Sequence, residues 1–294
     1  MTFAPHSAID TGAAFPLMPT WVTAMRAETL EDAAFSSGAA LSHLHLVLRR
    51  PDLPQALLRD RLALRAASAS VAFSGRPERA GELRDMVHFL RAGDRPGPAG
   101  ETCLSWRRAT ERKLSVAVLC RALPGLGEGR IADWLGSGQG APVRRAAMVL
   151  ERVLSEAPHL ELPGLITADA ALAQALGWDH LVPLLAGGLK RAALRQRGDA
   201  LHLSCHRALV SSAAEALRLA AELARRTAHL RAVAPRLRAR GADQAVEMFL
   251  TQDALAPAAL PLPDRAARRL CDRLVDLGAL REMTGRDSFR LYGV

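Results

Sequence analysis

Residues Leu262-Pro-Asp-Arg-Ala-Ala-Arg-Arg-Leu-Cys-Asp-Arg-Leu-Val-Asp-Leu-Gly-Ala-Leu-Arg-Glu-Met-Thr-Gly-Arg-Asp-Ser-Phe-Arg-Leu-Tyr-Gly-Val294 change their periodicity part-way along. In the first half Ala267, Leu270, Leu274 and Leu277 recur at three- and four-residue spacing, the buried stripe of a helix. Asp264 stands where a cap would accept a first-turn backbone N–H. Arg265, Arg268, Arg269 and Arg273 fall mostly off the stripe. Gly278 can end the helix by adopting a positive φ. Beyond it, Ala279–Met283 and Ser288–Tyr292 read as two short strands paired around Gly285, carrying Arg281, Arg286 and Arg290.

Helix, glycine, strand, turn and strand is the order of the recognition helix and wing of a winged helix-turn-helix. In that arrangement the N-terminal half of the helix enters the major groove. The wing arginines would then meet phosphates. Upstream, Asp243–Leu250 reads as a helix, and the next helix of the motif should occupy about 254–260. Pro257, Pro261 and Pro263 crowd that stretch, so this element must be short. The run Leu274–Arg286 resembles the winged-helix modules of bacterial regulators, in particular those appended to Fic-type proteins. The resemblance implies DNA contact by Arg265, Arg268, Arg269, Arg273, Arg281, Arg286 and Arg290. The His-Pro-Phe motif of Fic catalysis does not occur.

Composition sets the class of the rest. The 294 residues are 49% hydrophobic but only 4% aromatic, with alanine and leucine supplying the apolar surface. Both favour helix, so the expected fold is all-α: a multi-helix body over about 21–240, then the winged helix over 241–294 with its small hairpin. Residues 1–20 read as a flexible arm, with none of the pattern of a signal peptide. The formal charge of +9 suits nucleic acid or acidic partners. Lys113 and Lys190 are the only lysines, an arginine bias that a GC-rich genome would produce without functional cause. Cys103, Cys120, Cys205 and Cys271 are scattered, which points to a reducing cytoplasm. No apolar run is long enough to span a bilayer.

Along the body, helices are expected at about Leu30–Arg49, Gln55–Phe73, Glu78–Arg91, Glu101–Glu111, Leu114–Leu123, Pro142–Glu156, Ala168–Leu176, His180–Gln196 and Leu201–Arg231. In the second of these, Arg59, Arg61 and Arg65 are expected partly outside. Gly93–Gly100 reads as a rigid corner and Gly125–Gly140 as a flexible loop around an apolar island at Ile131–Leu135. Pro235 and Gly241 mark the boundary with the tail.

Two constellations invite chemistry. His202, Cys205 and His206 share one helix face at metal-ligand spacing. Asp85 and His88, with Glu101 and Ser105 nearby in sequence, suggest a general base. Both have the simpler reading of ordinary helix faces, and no catalytic residue, metal or cofactor is assigned. Asp32-Ala-Ala-Phe35, Arg61-Leu-Ala-Leu-Arg65, Leu83-Arg84-Asp85, Gly93-Asp94, Pro96–Gly100, Trp106-Arg107 and Ala234–Gly241 together resemble a bacterial family known as a domain of unknown function, number 1403 in its series. That resemblance implies no activity. The expected function is DNA binding in regulation or mobile-element biology, with a homodimer presenting paired recognition helices. A protein-interaction adaptor with an unidentified protein partner is the first alternative, and a metal-dependent protein or enzyme centred on the body is the second.

Overall fold

A computed structural model describes residues 15–90, 93–237, 240–284 and 289–294. The fold is all-α with a small C-terminal antiparallel hairpin. The body runs α1 (Thr20–Ala24), α2 (Leu30–Leu48), α3 (Gln55–Phe73), α4 (Ala80–His88), α5 (Gly97–Glu111), α6 (Val116–Ala122), α7 (Glu128–Gly136), α8 (Pro142–Glu156), α9 (Glu161–Ala175), α10 (Leu185–Gly188) and α11 (Gly198–Val233). The tail follows as α12 (Ala242–Thr251), a 3-10 turn at Pro257–Ala259, α13 (Asp264–Asp276), β1 (Arg281–Glu282) and β2 (Tyr292–Gly293). Among the described residues no helix is long and apolar enough to cross a membrane.

The long helix α11 is the spine. Leu209, Ala213, Ala216, Leu217, Ala220 and Leu223 line its buried side, and α2, α8 and α10 pack along it. The alanines let neighbouring helices approach closely, while leucines fill the gaps between them. On the other side α3 packs against α5. There the fully buried Trp106 satisfies its indole N–H on the Ser70 hydroxyl at 3.0 Å. An indole buried without such a partner would cost free energy.

Several expected elements differ in extent. The Gly125–Gly140 region is no plain loop, because Glu128–Gly136 is helical. Ile131 and Trp134, three residues apart, are both buried there, and the Trp134 indole donates to Glu156 at 2.7 Å. Burial of one apolar face outweighs the low helix propensity of the glycines. Helix α5 begins at Gly97 and not at Glu101, with Pro98 in its first turn, where its missing N–H has no cost. Helix α9 starts seven residues earlier than its periodicity suggested, at Glu161.

The single helix expected over His180–Gln196 is instead the short α10 and a 3-10 turn at Arg191–Arg195. Pro183 and the Gly187-Gly188 pair break it. Of the stretch read as an N-terminal arm, residues 15–19 lie against the body. The Arg50 guanidinium stacks 4.2 Å above the Phe15 ring, and the Pro16 carbonyl contacts His43 Nε2 at 3.0 Å. Residues 1–14 lie outside the described ones.

Two features at α10 yield measurable consequences. A Cβ at Gly188 would stand 2.3 Å from the Ala208 carbonyl oxygen of α11. Gly188→Ala should therefore force α10 off α11 and cost about 1–3 kcal/mol, read as a lowered urea midpoint.

Asp169 of α9 is completely buried, and its carboxylate accepts the Leu184 and Leu185 amides at 3.1 Å each. Burial pushes this acid up to about 7 although both amides oppose the shift. The folded state therefore holds a proton that the unfolded chain releases at lower pH. Stability contributed here is present in acid and declines as pH rises towards and through 7. The thermal-midpoint difference between wild type and Asp169→Asn should shrink or reverse from pH 5 to pH 8; a constant difference would show that Asp169 does not titrate in that window.

Candidate functional site

The tail chain leaves α12 at Thr251 and immediately buries Asp253 between helices α3 and α4. Arg84 of α4 donates from Nε to Asp253 Oδ2 at 2.6 Å, and Arg61 of α3 pairs with Oδ1. All three side chains are about one-tenth exposed or less. Asp60 extends the cluster. Its Oδ1 takes Arg107 Nε of α5 at 3.1 Å and its Oδ2 accepts the Asp253 backbone N–H at 3.3 Å. Arg61 also donates to the Val294 carbonyl at 3.0 Å. Arg61, expected partly outside, keeps only 11% of its side chain exposed.

The resulting clamp joins three body helices to the chain just after α12 and to the last two residues. Gly293 is part of it, since a Cβ there would meet the Asp253 carbonyl oxygen at 2.4 Å. Burial alone would raise the Asp253 carboxyl, but the Arg61 and Arg84 charges outweigh it and the net shift is downward. His88 and Cys103 line the same small cavity, of about 10 Å³, too small for a substrate. Burial, reinforced by the Arg107 charge, holds His88 below its ordinary value, and burial pushes the Cys103 thiol up to about 11. A protonated thiol beside an imidazole depleted of its proton is not an activated nucleophile pair.

Of the general-base constellation, Glu101 and Ser105 do not join His88. Glu101 faces Arg108 at 3.8 Å, and Ser105 is buried within α5. Neither lines the cavity that His88 lines. On the metal-spaced face, His202 Nε2 is buried without a hydrogen-bond partner, and the other two residues are engaged or covered. His206 Nδ1 bonds the Ser37 hydroxyl at 2.7 Å, and Cys205 is buried with its thiol pushed up to about 12. Among the described residues no group of three histidine, cysteine or acidic side chains is placed to hold a metal.

The arginine-bearing helix sits above the clamp. Helix α13 buries Ala267, Leu270, Cys271 and Leu274, with Leu277 half-buried at its end. Gly278 closes it at φ 68°. Asp264 does not cap it: Pro263 holds the cap position, and Asp264 pairs with Arg268 at 2.9 Å instead. Arg265 and Arg269 are four residues apart on the face opposite the buried stripe, and both are exposed. Arg273 is exposed on the flank away from Arg268.

Leu255 exchanges backbone hydrogen bonds with Tyr292 at 2.8 and 2.9 Å. The chain before α13 thus pairs with β2, which is central and pairs on its other side with the edge strand β1, Arg281 with Gly293 and Glu282 with Tyr292. That register differs from the pairing about Gly285 expected from sequence. The close approach of Gly293 to Asp253, together with the Leu255 bridge, fixes it. The stretch upstream of α13 is short as the prolines require, a single 3-10 turn.

Arg281 points back to the body and pairs with Glu222 of α11 at 3.1 Å. Arg290 reaches across the hairpin to Glu282 at 3.6 Å and is 43% exposed. Arg286 lies outside the described residues. The His229 ring of α11 contacts the Leu277 carbonyl at 2.9 Å, and Phe89, following α4, packs edge-on to Phe289 at 5.9 Å.

Asp253→Ala should cost about 3–5 kcal/mol in chemical unfolding, because it strands Arg61 and Arg84 as buried unpaired charges. Since the folded carboxyl titrates below its ordinary value, its contribution is complete at neutral pH and is lost as pH falls through the acid carboxylate range. The variant should accordingly lose less stability than wild type on acidification.

Arg61, Arg84 and Arg107, three of the sequence features that distinguish the chain, are therefore brought together by the fold around two aspartates. A comparison with curated proteins finds no significant match. One family model, described as a protein of unknown function (DUF1403), matches residues 6–294, spanning body, clamp and tail, and the chain belongs to that family.

Proposed function

We propose that the protein binds double-stranded DNA through its tail, with α13 as the recognition helix of a winged helix and the hairpin as its wing. The observation that carries this reading is the element order: α12, the Leu255 bridge, a 3-10 turn, α13 and a hairpin whose second strand, β2, pairs back to Leu255. A helix set on a three-way strand pairing presents one face outward, and here that face carries Arg265 and Arg269, which make no ion pair among the described residues. Arginine is the residue most often paired with guanine in the major groove.

The remaining arginines take graded roles. Arg268 is held by Asp264 and must be released to read a base. Arg290 suits a phosphate beside the wing, and Arg281 is committed to Glu222. Regulation or mobile-element biology is the setting proposed for this activity, in the cytoplasm and as a homodimer. The second reading, a protein-docking adaptor, is favoured by Phe289 and Val275, large apolar side chains 68% and 36% exposed on the same tail. Asp272 and Asp276, interleaved with the arginines, also favour it.

Binding titrations over several salt concentrations, on duplexes selected from a random pool and on scrambled ones, separate the two. Arg265→Ala or Arg269→Ala should reduce discrimination between duplexes by about 1–3 kcal/mol. Arg290→Ala should weaken both duplexes alike and lower the salt slope by about one. All three variants should remain folded, since these side chains are exposed. Absence of binding to any duplex at low salt would eliminate the DNA reading in favour of the adaptor.

A further inference from the structure

Beside the clamp, on the outer side of α3 and α5, lies a pocket of about 420 Å³. Its walls carry three arginines: Arg59 from α3, and Arg107 and Arg108 from α5. The end of α12 closes it with Thr251 and Gln252. The volume is in the range of small-molecule sites.

Arg59 is the unusual member. Its Nε is sealed from solvent and has no hydrogen-bond partner. Burial lowers its affinity for a proton, opposed only by the charge of Asp60. The other arginines nearby are matched, Arg61 and Arg84 by Asp253 and Arg107 by Asp60. Asp60 lends Arg59 its charge but forms no hydrogen bond with it among the described residues; its oxygens hold Arg107 and the Asp253 amide. The remaining acid on the wall, Glu111, is exposed and forms no ion pair among the described residues.

A partly buried guanidinium whose nearest counter-charge is shared with Arg107, and whose Nε has no hydrogen-bond partner, is costly to keep. Arg108 adds a second weakly engaged cation, 3.8 Å from Glu101 and 40% exposed. Gln252 adds a side-chain amide that no hydrogen bond engages among the described residues. Planar guanidinium forks converging on one cavity match the oxygens of a phosphate or carboxylate group.

We infer that this pocket binds a small molecule through an oxyanion, phosphate or carboxylate, with Arg59 as its principal counter-charge and Arg107, Arg108 and the Gln252 amide as further donors. The site is independent of the DNA reading, because it is built chiefly from body helices and needs no nucleic acid.

The test uses the full-length chain, dialysed free of multivalent anions. Its thermal midpoint is followed with inorganic phosphate or succinate against sodium chloride at equal ionic strength. The two arms distinguish a phosphate from a carboxylate ligand. At least one should raise the midpoint saturably, by about 3 °C at tenfold excess over its dissociation constant. Arg59→Gln should abolish the shift, whereas Arg225→Gln, at an exposed position on α11, should retain it. Should Arg59→Gln fail to fold, Arg108→Gln at its more exposed site serves instead, and binding at least tenfold weaker by calorimetry is the expected result. The inference is overturned if neither anion exceeds chloride, or if the shift persists undiminished in the folded pocket variants.

Discussion

Asp253 is one carboxylate held by two guanidiniums in a site that water scarcely reaches. Each of the three charges would be expensive to bury alone, and together they form a cluster whose geometry must be met before the tail can close on the body. The surrounding bonds convert that requirement into register. Asp60 fixes the Asp253 backbone, Arg61 fixes the Val294 carbonyl, and Gly293 allows β2 to approach the Asp253 carbonyl closely. A hydrophobic interface of the same size would tolerate small slips, because dispersion and area burial are not directional. The charge clamp does not, and α13 therefore has a defined orientation relative to α3, α4 and α11. Glu222–Arg281 and His229–Leu277 restrain the far side of the same unit.

This arrangement bears on how body and tail relate. Proline and glycine at 235 and 241 punctuate the sequence as a boundary would, yet the family match runs unbroken from residue 6 to residue 294. The packed core is likewise continuous from α2 through Val294. A linker can be legible as a linker while the segments it joins share one interior. Under the DNA reading this has a mechanical consequence, because a recognition helix bolted to a body through buried charge moves only when the body moves. Anything that alters α3, α4 or α5 is then felt at α13 without a separate hinge.

The sequence carried much of this and concealed the rest for identifiable reasons. Helices α3 and α8 follow directly from their apolar spacing, bounded by Pro54 and Gly75 in one case and by Pro142 in the other. The helix–Gly278–hairpin order was readable because each step has local chemistry: stripe, positive φ and turn. Helix α7 was hidden by its glycines, and the only signal was Ile131 and Trp134 at i, i+3. The clamp was scarcely legible, since its partners lie up to 233 residues apart and each charged member looks like an ordinary surface charge until they are known. Its one trace was the run Arg59-Asp60-Arg61, three consecutive charges in a helix that otherwise carries only Arg65.

That run also explains why the two sites in the body adjoin. Consecutive helical residues point about 100° apart, so Arg59 and Arg61 cannot serve the same cavity. Arg61 turns inward to Asp253 and Arg59 turns to the outer pocket, with Asp60 between them bonded to Arg107 and to the Asp253 amide. Arg107 is the shared wall, lining both the small clamp cavity and the larger pocket. An oxyanion in the outer pocket would compete with Asp60 for the Arg107 guanidinium. Loosening that bond would leave Asp60 free to reorient, and the Asp253 amide would lose the carboxylate that positions it. The occupied and empty pocket would therefore differ in how tightly the tail is clamped, by a route of direct contacts: anion, Arg107, Asp60, Asp253 and the strand that carries Tyr292.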